Sequence, residues 1–318
     1  MAQKKRTAAR IQRRAEKIAA IKAQEDAEAR ERKQQTRIGM IFVSLIAVIV
    51  IVIAGVVYYN YRQTQEANSV TVEQAYQQLQ QASPKPSRAT SQGGLVMSKN
   101  GWNKKIANVP TMEIYMDPLC PGCGGFHRQM DDTIAQLLNA GQINIVFYPM
   151  AFMDSLSTDQ YSSRAVTGIY YIASHDNNPV HTLNFIRNIY SESFQPDEGS
   201  GYQSVSDEAL IEQAQNAGVS ASVAKAAFKL RYTSWLNALS NYTPKRSELW
   251  NISGQAAGSM TTPTIRINDG FFDYYKVAST NLDMKTTILN TLGISANDVG
   301  NPSVLPTAGS TKKPSNNF

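Results

Sequence analysis

The stretch Tyr115-Met116-Asp117-Pro118-Leu119-Cys120-Pro121-Gly122-Cys123-Gly124-Gly125-Phe126 decides how the rest of the chain is read. Before it, Met112–Met116 (MEIYM) has the length and apolar character of a short strand. After it, residues 124–140 carry a helical pattern closed by Gly141, and Ile143–Tyr148 (INIVFY) predicts a second buried strand. Strand, helix, strand in that order is a βαβ unit with parallel strands, which places the domain in the α/β class. The two cysteines stand where the first strand becomes the helix. There the first thiol faces unpaired backbone N–H groups and the positive end of the helix dipole. Both favour the thiolate, the species that attacks a disulfide. With two residues between them, Cys123 can reach back to Cys120, and Pro121 loses nothing in a first helical turn because it has no N–H to satisfy.

These are the only cysteines in 318 residues. A domain without other cysteines has no structural disulfides, so the pair is there for its chemistry. A zinc site would need two further ligands, and His127, His175 and His181 show no paired spacing that supplies them. The sequence therefore predicts no metal and no cofactor beyond a redox-active Cys120–Cys123 disulfide.

Charge is distributed unevenly. Residues 1–37 hold twelve Lys or Arg against five acids, while the remainder holds nineteen against twenty, so the net +6 belongs to the arm. The basic balance is thus no sign that the main domain binds nucleic acid, and a solvated cytoplasmic tail is the simpler reading of the arm. From Ile38 to Val57 there are twenty uncharged, mostly apolar residues, enough for a helix to cross the hydrocarbon core at about 30 Å. Tyr58, Tyr59 and Tyr61 follow as an aromatic belt. A tyrosine-rich flank in place of small residues argues for an uncleaved anchor over a signal peptide. The reading is a basic cytoplasmic arm at 1–37, a transmembrane helix at 38–59, and an extracytoplasmic remainder.

Thr71 and Gln74 form a capping-box pattern that opens a short helix, and SPKPSRATSQGG at 83–94 reads as a spacer, so 60–93 is expected to be juxtamembrane helix and linker. The folded domain is expected over 94–294. Within it 155–258 is nearly all helical in pattern: Tyr161–Ser174, Val180–Ser193, Ser206–Ala217 and Ser220–Asn241. Trp235, Trp250 and the many tyrosines there form either the core of this insert or an apolar groove for unfolded proteins. Strands then return as Thr264–Asn268 and Phe271–Val277 around an Asp269-Gly270 turn, followed by a helix at about 281–292. The proline-bearing tail at 295–318 is expected to be disordered. Thr262-Pro263, immediately before the returning strand, belongs in a tight turn.

Together these segments resemble the DsbA-like proteins, thioredoxin-like oxidoreductases with a large α-helical insertion. The resemblance rests on residues 115–126, on Thr262-Pro263-Thr264-Ile265 with Asn268 and Gly270, and on the helical block between them. It covers about 95–293. It implies that Cys120 is the nucleophile, Cys123 the resolving thiol, Pro121 and Gly122 their supporting dipeptide, and Thr262-Pro263 a cis-proline platform for substrate. Cys120, facing the helix N-terminus and solvent, is expected to be the accessible thiol and Cys123 the shielded one, with Thr262 a candidate hydrogen-bond donor to the Cys120 thiolate. Two departures stand out. Many thioredoxin-fold enzymes bury an acid six residues before the first cysteine, where this chain has Ile114, with Glu113 sent to the other face by strand alternation. The dipeptide also lacks histidine.

The implied function is a membrane-tethered oxidase that donates its disulfide to reduced exported proteins. A quinone-linked membrane partner of the DsbB or VKOR type would reoxidise it, as in anchored forms of Gram-positive bacteria. The alternatives are a reductase or isomerase on the same fold, or an anchored chaperone or assembly scaffold. The charge asymmetry makes a direct prediction: protease added to intact spheroplasts should digest the C-terminal domain, and a protected domain would refute the orientation.

Overall fold

The computed structural model describes residues 70–280 and 282–316. The arm and the expected membrane span lie outside them; among the described residues no helix is long and apolar enough to cross a membrane. The elements in chain order are α1 (Val72–Gln81), β1 (Leu95–Ser98), β2 (Gly101–Trp102), β3 (Thr111–Met116), α2 (Pro121–Ala140), β4 (Asn144–Pro149), α3 (Tyr161–His175) and α4 (Pro179–Ile189). There follow α5 (Asp207–Asn216), α6 (Ala221–Ala227), α7 (Thr233–Tyr242), β5 (Thr264–Ile267), β6 (Gly270–Phe272), α8 (Tyr274–Ala278) and α9 (Met284–Leu292). The strands form one six-stranded sheet in the order β2-β1-β4-β3-β5-β6. β3 and β4 are parallel, as the βαβ pattern requires; β5 pairs antiparallel with β3, and β6 antiparallel with β5.

Strand alternation divides the sheet into two chemically different faces. Met112, Ile114, Ile145, Phe147, Ile265 and Ile267 are cross-strand neighbours on one face, which is apolar and fully buried. Helix α2 lies on that side, with His127 of its second turn 6.2 Å from the Phe147 ring. The opposite face carries Glu113 beside Arg266 and Tyr115 beside Tyr148. There Arg266 Nη1 meets Glu113 Oε2 at 2.6 Å, and the two tyrosine rings stack at 4.1 Å. Glu113 thus points away from the active-site helix and is neutralised across the sheet.

The structure departs from the sequence reading in several places. The 83–94 segment is not a spacer. Arg88 donates to the Asp176 carbonyl at 2.5 Å, Thr90 N bonds Gly94 O, and Tyr170 Oη donates to Gly93 O at 2.6 Å. Helix α1 opens with the expected Thr71–Gln74 capping box, buries Ala75 and Leu79 completely, and sets Tyr76 5.3 Å from Tyr242 of α7. The domain therefore begins at α1. The expected helix Ser220–Asn241 is broken into α6 and α7, because the chain turns at Phe228 to drive that ring into the core. There it lies 5.6 Å from Phe185 and so close to Gly168 that a Cβ at 168 would fall 2.2 Å from it. The hairpin turn is Asn268-Asp269, not Asp269-Gly270: both central residues have positive φ, Ile267 pairs with Gly270, and β6 ends at Phe272 where α8 takes over. Asn and Asp tolerate the left-handed region, so the turn needs no glycine at its centre.

The tail, expected to be disordered, is folded as far as residue 316. Buried Gln142 donates to the carbonyls of Asn301 and Val304 and accepts from Gly300 N. Asn268 Nδ2 donates to Lys312 O, and Asn316 Nδ2 to Phe271 O. Side-chain amides thus take the place of a regular ladder along a segment that prolines keep out of helix and strand.

If α1 belongs to the domain, Leu79→Ala should lower unfolding free energy by ~2–5 kcal/mol in thermal or denaturant melts, the range for a fully buried leucine. A change within about 0.5 kcal/mol, usual for a surface site, would return α1 to the linker.

Candidate functional site

The site is built where β3 ends. Asp117-Pro118-Leu119 makes a tight turn in which Cys120 N bonds Asp117 O at 3.0 Å, and Cys120 becomes the extended N-cap residue of α2 with Pro121 in the first helical position. Gly124 N closes the first helical hydrogen bond on Cys120 O. Both cysteines are free thiols and both are fully buried. The Cys120 thiol donates to the main-chain carbonyl of Thr262 at 3.2 Å, joining residues 142 apart in sequence. The Thr262–Pro263 bond is cis, as expected. Gly122 sits beneath it: a Cβ at 122 would lie 3.3 Å from Pro263 Cδ and 3.7 Å from Cys120 Sγ. The six candidate site residues, Cys120, Pro121, Gly122, Cys123, Thr262 and Pro263, therefore lie together.

Two expectations are corrected. Cys120 is not open to solvent but covered, so a partner sulfur reaches it only when that cover shifts. The Thr262 contact is made by the backbone, while its hydroxyl, a candidate donor to the sulfur, is buried with no hydrogen-bond partner among the described residues. The second thiol has a distinct environment. Burial pushes the Cys123 thiol well up, and the adjacent Cys120 sulfur adds to the rise.

Sequence reasoning missed the acid of this site. Asp117 is completely buried and accepts four hydrogen bonds, from Leu119 N (2.9 Å) and Ser162 Oγ (2.6 Å) on one oxygen and from Phe152 N (2.7 Å) and Met153 N (3.0 Å) on the other. It thereby ties the redox turn to the chain after β4 and to α3. Burial pushes its carboxyl up to about 7 against the opposing pull of those bonds. An acid directly after an apolar strand and before Pro-Leu-Cys was the available signal. His127 is buried in the packing of α2: Nδ1 is 2.8 Å from Asp131 Oδ1, Nε2 is 3.1 Å from Met116 Sδ, and the ring stacks on Tyr190 at 4.2 Å. Gln195, in the loop after α4, also went unnoticed: its Nε2 donates to Pro118 O (3.1 Å) and Cys120 O (3.0 Å). Trp235 is core of the helical insert, whereas Trp250 is partly exposed. Among the described residues no group of three His, Cys, Asp or Glu side chains could hold a metal ion.

Fold and site together define a thioredoxin-fold protein with a dithiol at the start of its first sheet-packed helix, facing a cis-proline turn. The family model described as Thioredoxin matches residues 105–284, more than half of the chain, and the protein belongs to that family. Among solved structures it is similar to MdbA, a thiol-disulfide oxidoreductase from Actinomyces oris, at 19% identity and TM-score 0.47 over 70% of this chain and 91% of that one. It is also similar to reduced DsbA from Mycobacterium tuberculosis, at 21% identity and TM-score 0.46 over 62% and 89% of the two chains. A curated relative, the serine/threonine-protein kinase PknE of Mycobacterium tuberculosis, is 30% identical over 109 residues. That alignment takes in 34% of this chain and 19% of the kinase, so the chain spans about a fifth of the length of the curated relatives it matches.

Asp117 gives a pH prediction with a definite sign. An unfolded aspartate titrates near about 4, so the folded protein holds an extra proton from there up to about 7. The stability this adds is present below that window and is lost as pH rises through it. Asp117→Asn removes the slope and leaves backbone donors poorly paired, so the variant should be less stable by ~1–3 kcal/mol at pH about 5, with the gap narrowing towards pH about 8. A gap that widens with pH would contradict the assignment.

Proposed function

We propose that this protein is a membrane-tethered, extracytoplasmic thiol–disulfide oxidoreductase that introduces disulfides into exported proteins through Cys120 and Cys123. The observation that carries the reading is the meeting of the two motifs, with the Cys120 sulfur held at the N-terminus of α2 and 3.2 Å from the Thr262 carbonyl. In the reaction a client thiolate attacks Cys120 Sγ of the Cys120–Cys123 disulfide, forming a client–Cys120 mixed disulfide and expelling the Cys123 sulfur. The Cys123 sulfur takes up a proton, because burial favours its thiol form. A second client thiolate attacks the client sulfur of the mixed disulfide, leaving an oxidised client and a reduced pair. Two electrons pass from client to enzyme.

Direction depends on which thiol resolves the mixed disulfide: attack by Cys123 returns the client reduced, and attack by the client's second thiol completes its oxidation. Anchorage by residues 38–59 beyond a basic arm places the domain outside the cytoplasm. There a quinone-linked membrane oxidase, DsbB-like or VKOR-like, is the class of partner that can remove the two electrons.

Cys123→Ser should accumulate mixed disulfides with exported proteins on non-reducing gels, while Cys120→Ser should not; the reverse pattern would exchange the two roles. The reduction potential of the pair should lie between about −270 and about −120 mV, towards the oxidising end. A value at or below about −270 mV, thioredoxin's, together with failure to oxidise a reduced client, would favour the reductase reading.

A further inference from the structure

The loop between α4 and α5 reaches the redox turn through one side chain. Gln195 is half-buried. Its Nε2 spans the carbonyls of Pro118 and Cys120, at 3.1 and 3.0 Å. Its Oε1 accepts from Arg128 Nη1 at 3.0 Å, and the same guanidinium nitrogen donates to Tyr190 O at 2.9 Å. The result is a chain from an arginine cation through a side-chain amide to the backbone on both sides of Leu119 and at Cys120 itself. Its path runs directly over Gly124. A Cβ built there would lie 1.9 Å from Gln195 Oε1 and 2.7 Å from Arg128 Nη1. The missing side chain at 124 is thus the space in which the carboxamide sits.

The geometry points to Gln195 as a positioning residue of the redox centre, fixing the Pro118–Cys120 turn and relaying the positive field of Arg128 to it, so that the reduced, more anionic state of the pair is favoured over the disulfide. This rests on the redox reading above and deepens it. An oriented amide with its donors at the turn, backed by a guanidinium, favours negative charge close by, as the helix N-terminus does. It does so from the helical insertion, and it touches no client.

The experiment is equilibration of the intact protein with glutathione buffers. There two glutathione thiols reduce the Cys120–Cys123 disulfide to the dithiol and form one glutathione disulfide. Gln195→Met keeps length and volume but loses the donors. Gly124→Ala leaves Gln195 in the sequence but evicts its carboxamide, while improving the helical propensity of the turn. Both variants should shift the equilibrium towards the protein disulfide by ~three- to tenfold, a potential lower by about 15–30 mV. In Gly124→Ala that shift should come without loss of thermal stability. A clamp with only a structural role would lower the melting temperature of Gln195→Met and leave both potentials unchanged, and that result overturns the inference while the redox reading stands. A wild-type pair that does not oxidise and reduce reversibly overturns both.

Discussion

One buried carboxylate holds the redox turn in place. Asp117 follows β3, and its four acceptor bonds reach the turn itself, the chain leaving β4, and the first turn of α3. Each donor is a backbone N–H or hydroxyl that would otherwise be stranded away from water, where an unmet bond costs more than a made one returns. The carboxylate thus satisfies the loose ends of three segments at once. The position of Cys120 follows, since its N–H bonds the Asp117 carbonyl and its carbonyl opens α2. An acid this deep is expensive, which is why its proton is held to about 7.

That turn creates an asymmetry between two chemically identical side chains. Cys120 sits at the N-cap, where helix amides are unpaired, and it reaches Thr262 across the sheet edge. Cys123, one turn further in, is buried beside the Cys120 sulfur, and burial and that sulfur penalise its charged form more than a backbone hydrogen bond with Asp117 favours it. Both sulfurs are buried, so what differs between them is position: Cys120 at the helix N-cap against the Thr262 carbonyl, Cys123 one turn inside α2. His127 and Asp131 lie deeper along the same helix and are matched to each other at 2.8 Å, so the helix interior carries its polar groups as a closed pair.

The parts of this fold legible in the sequence were those with a period or a punctuation mark. β3, α2 and β4 follow from apolar runs and Gly141, which adopts the left-handed cap expected of it. Thr262 and Pro263 could be paired with Cys120 only through the family resemblance, since nothing local joins residues 142 apart. What stayed illegible was order supplied by single amides and long-range packing. Gln142, Asn268 and Gln195 each look like ordinary polar residues, yet they fix the tail and the redox turn through backbone carbonyls far away in sequence. The stretch 83–94 has a linker's composition and is nonetheless pinned by Arg88 and Tyr170. Composition reports what a segment can do alone and is silent about donors that arrive from elsewhere.

The helical insertion is part of the site. Two of its side chains meet the turn, Ser162 of α3 at the Asp117 carboxylate and Gln195 at the Cys120 carbonyl, and Tyr190 stacks on His127 of the helix that follows. A thioredoxin sheet with one helix on its apolar face presents a dithiol to water. Here the insert reaches the Cys120 carbonyl and the cis-proline turn its thiol, and Cys120 is fully buried as a free thiol. Any sulfur that exchanges with Cys120 must therefore displace part of that packing, and two groups hold the turn there. Asp117 is locked by four bonds from three segments, whereas Gln195 is half-buried on a loop and held through its terminal amide. The turn that carries the sulfur is thus held twice, by a buried carboxylate on the sheet side and by a side-chain amide from the insertion.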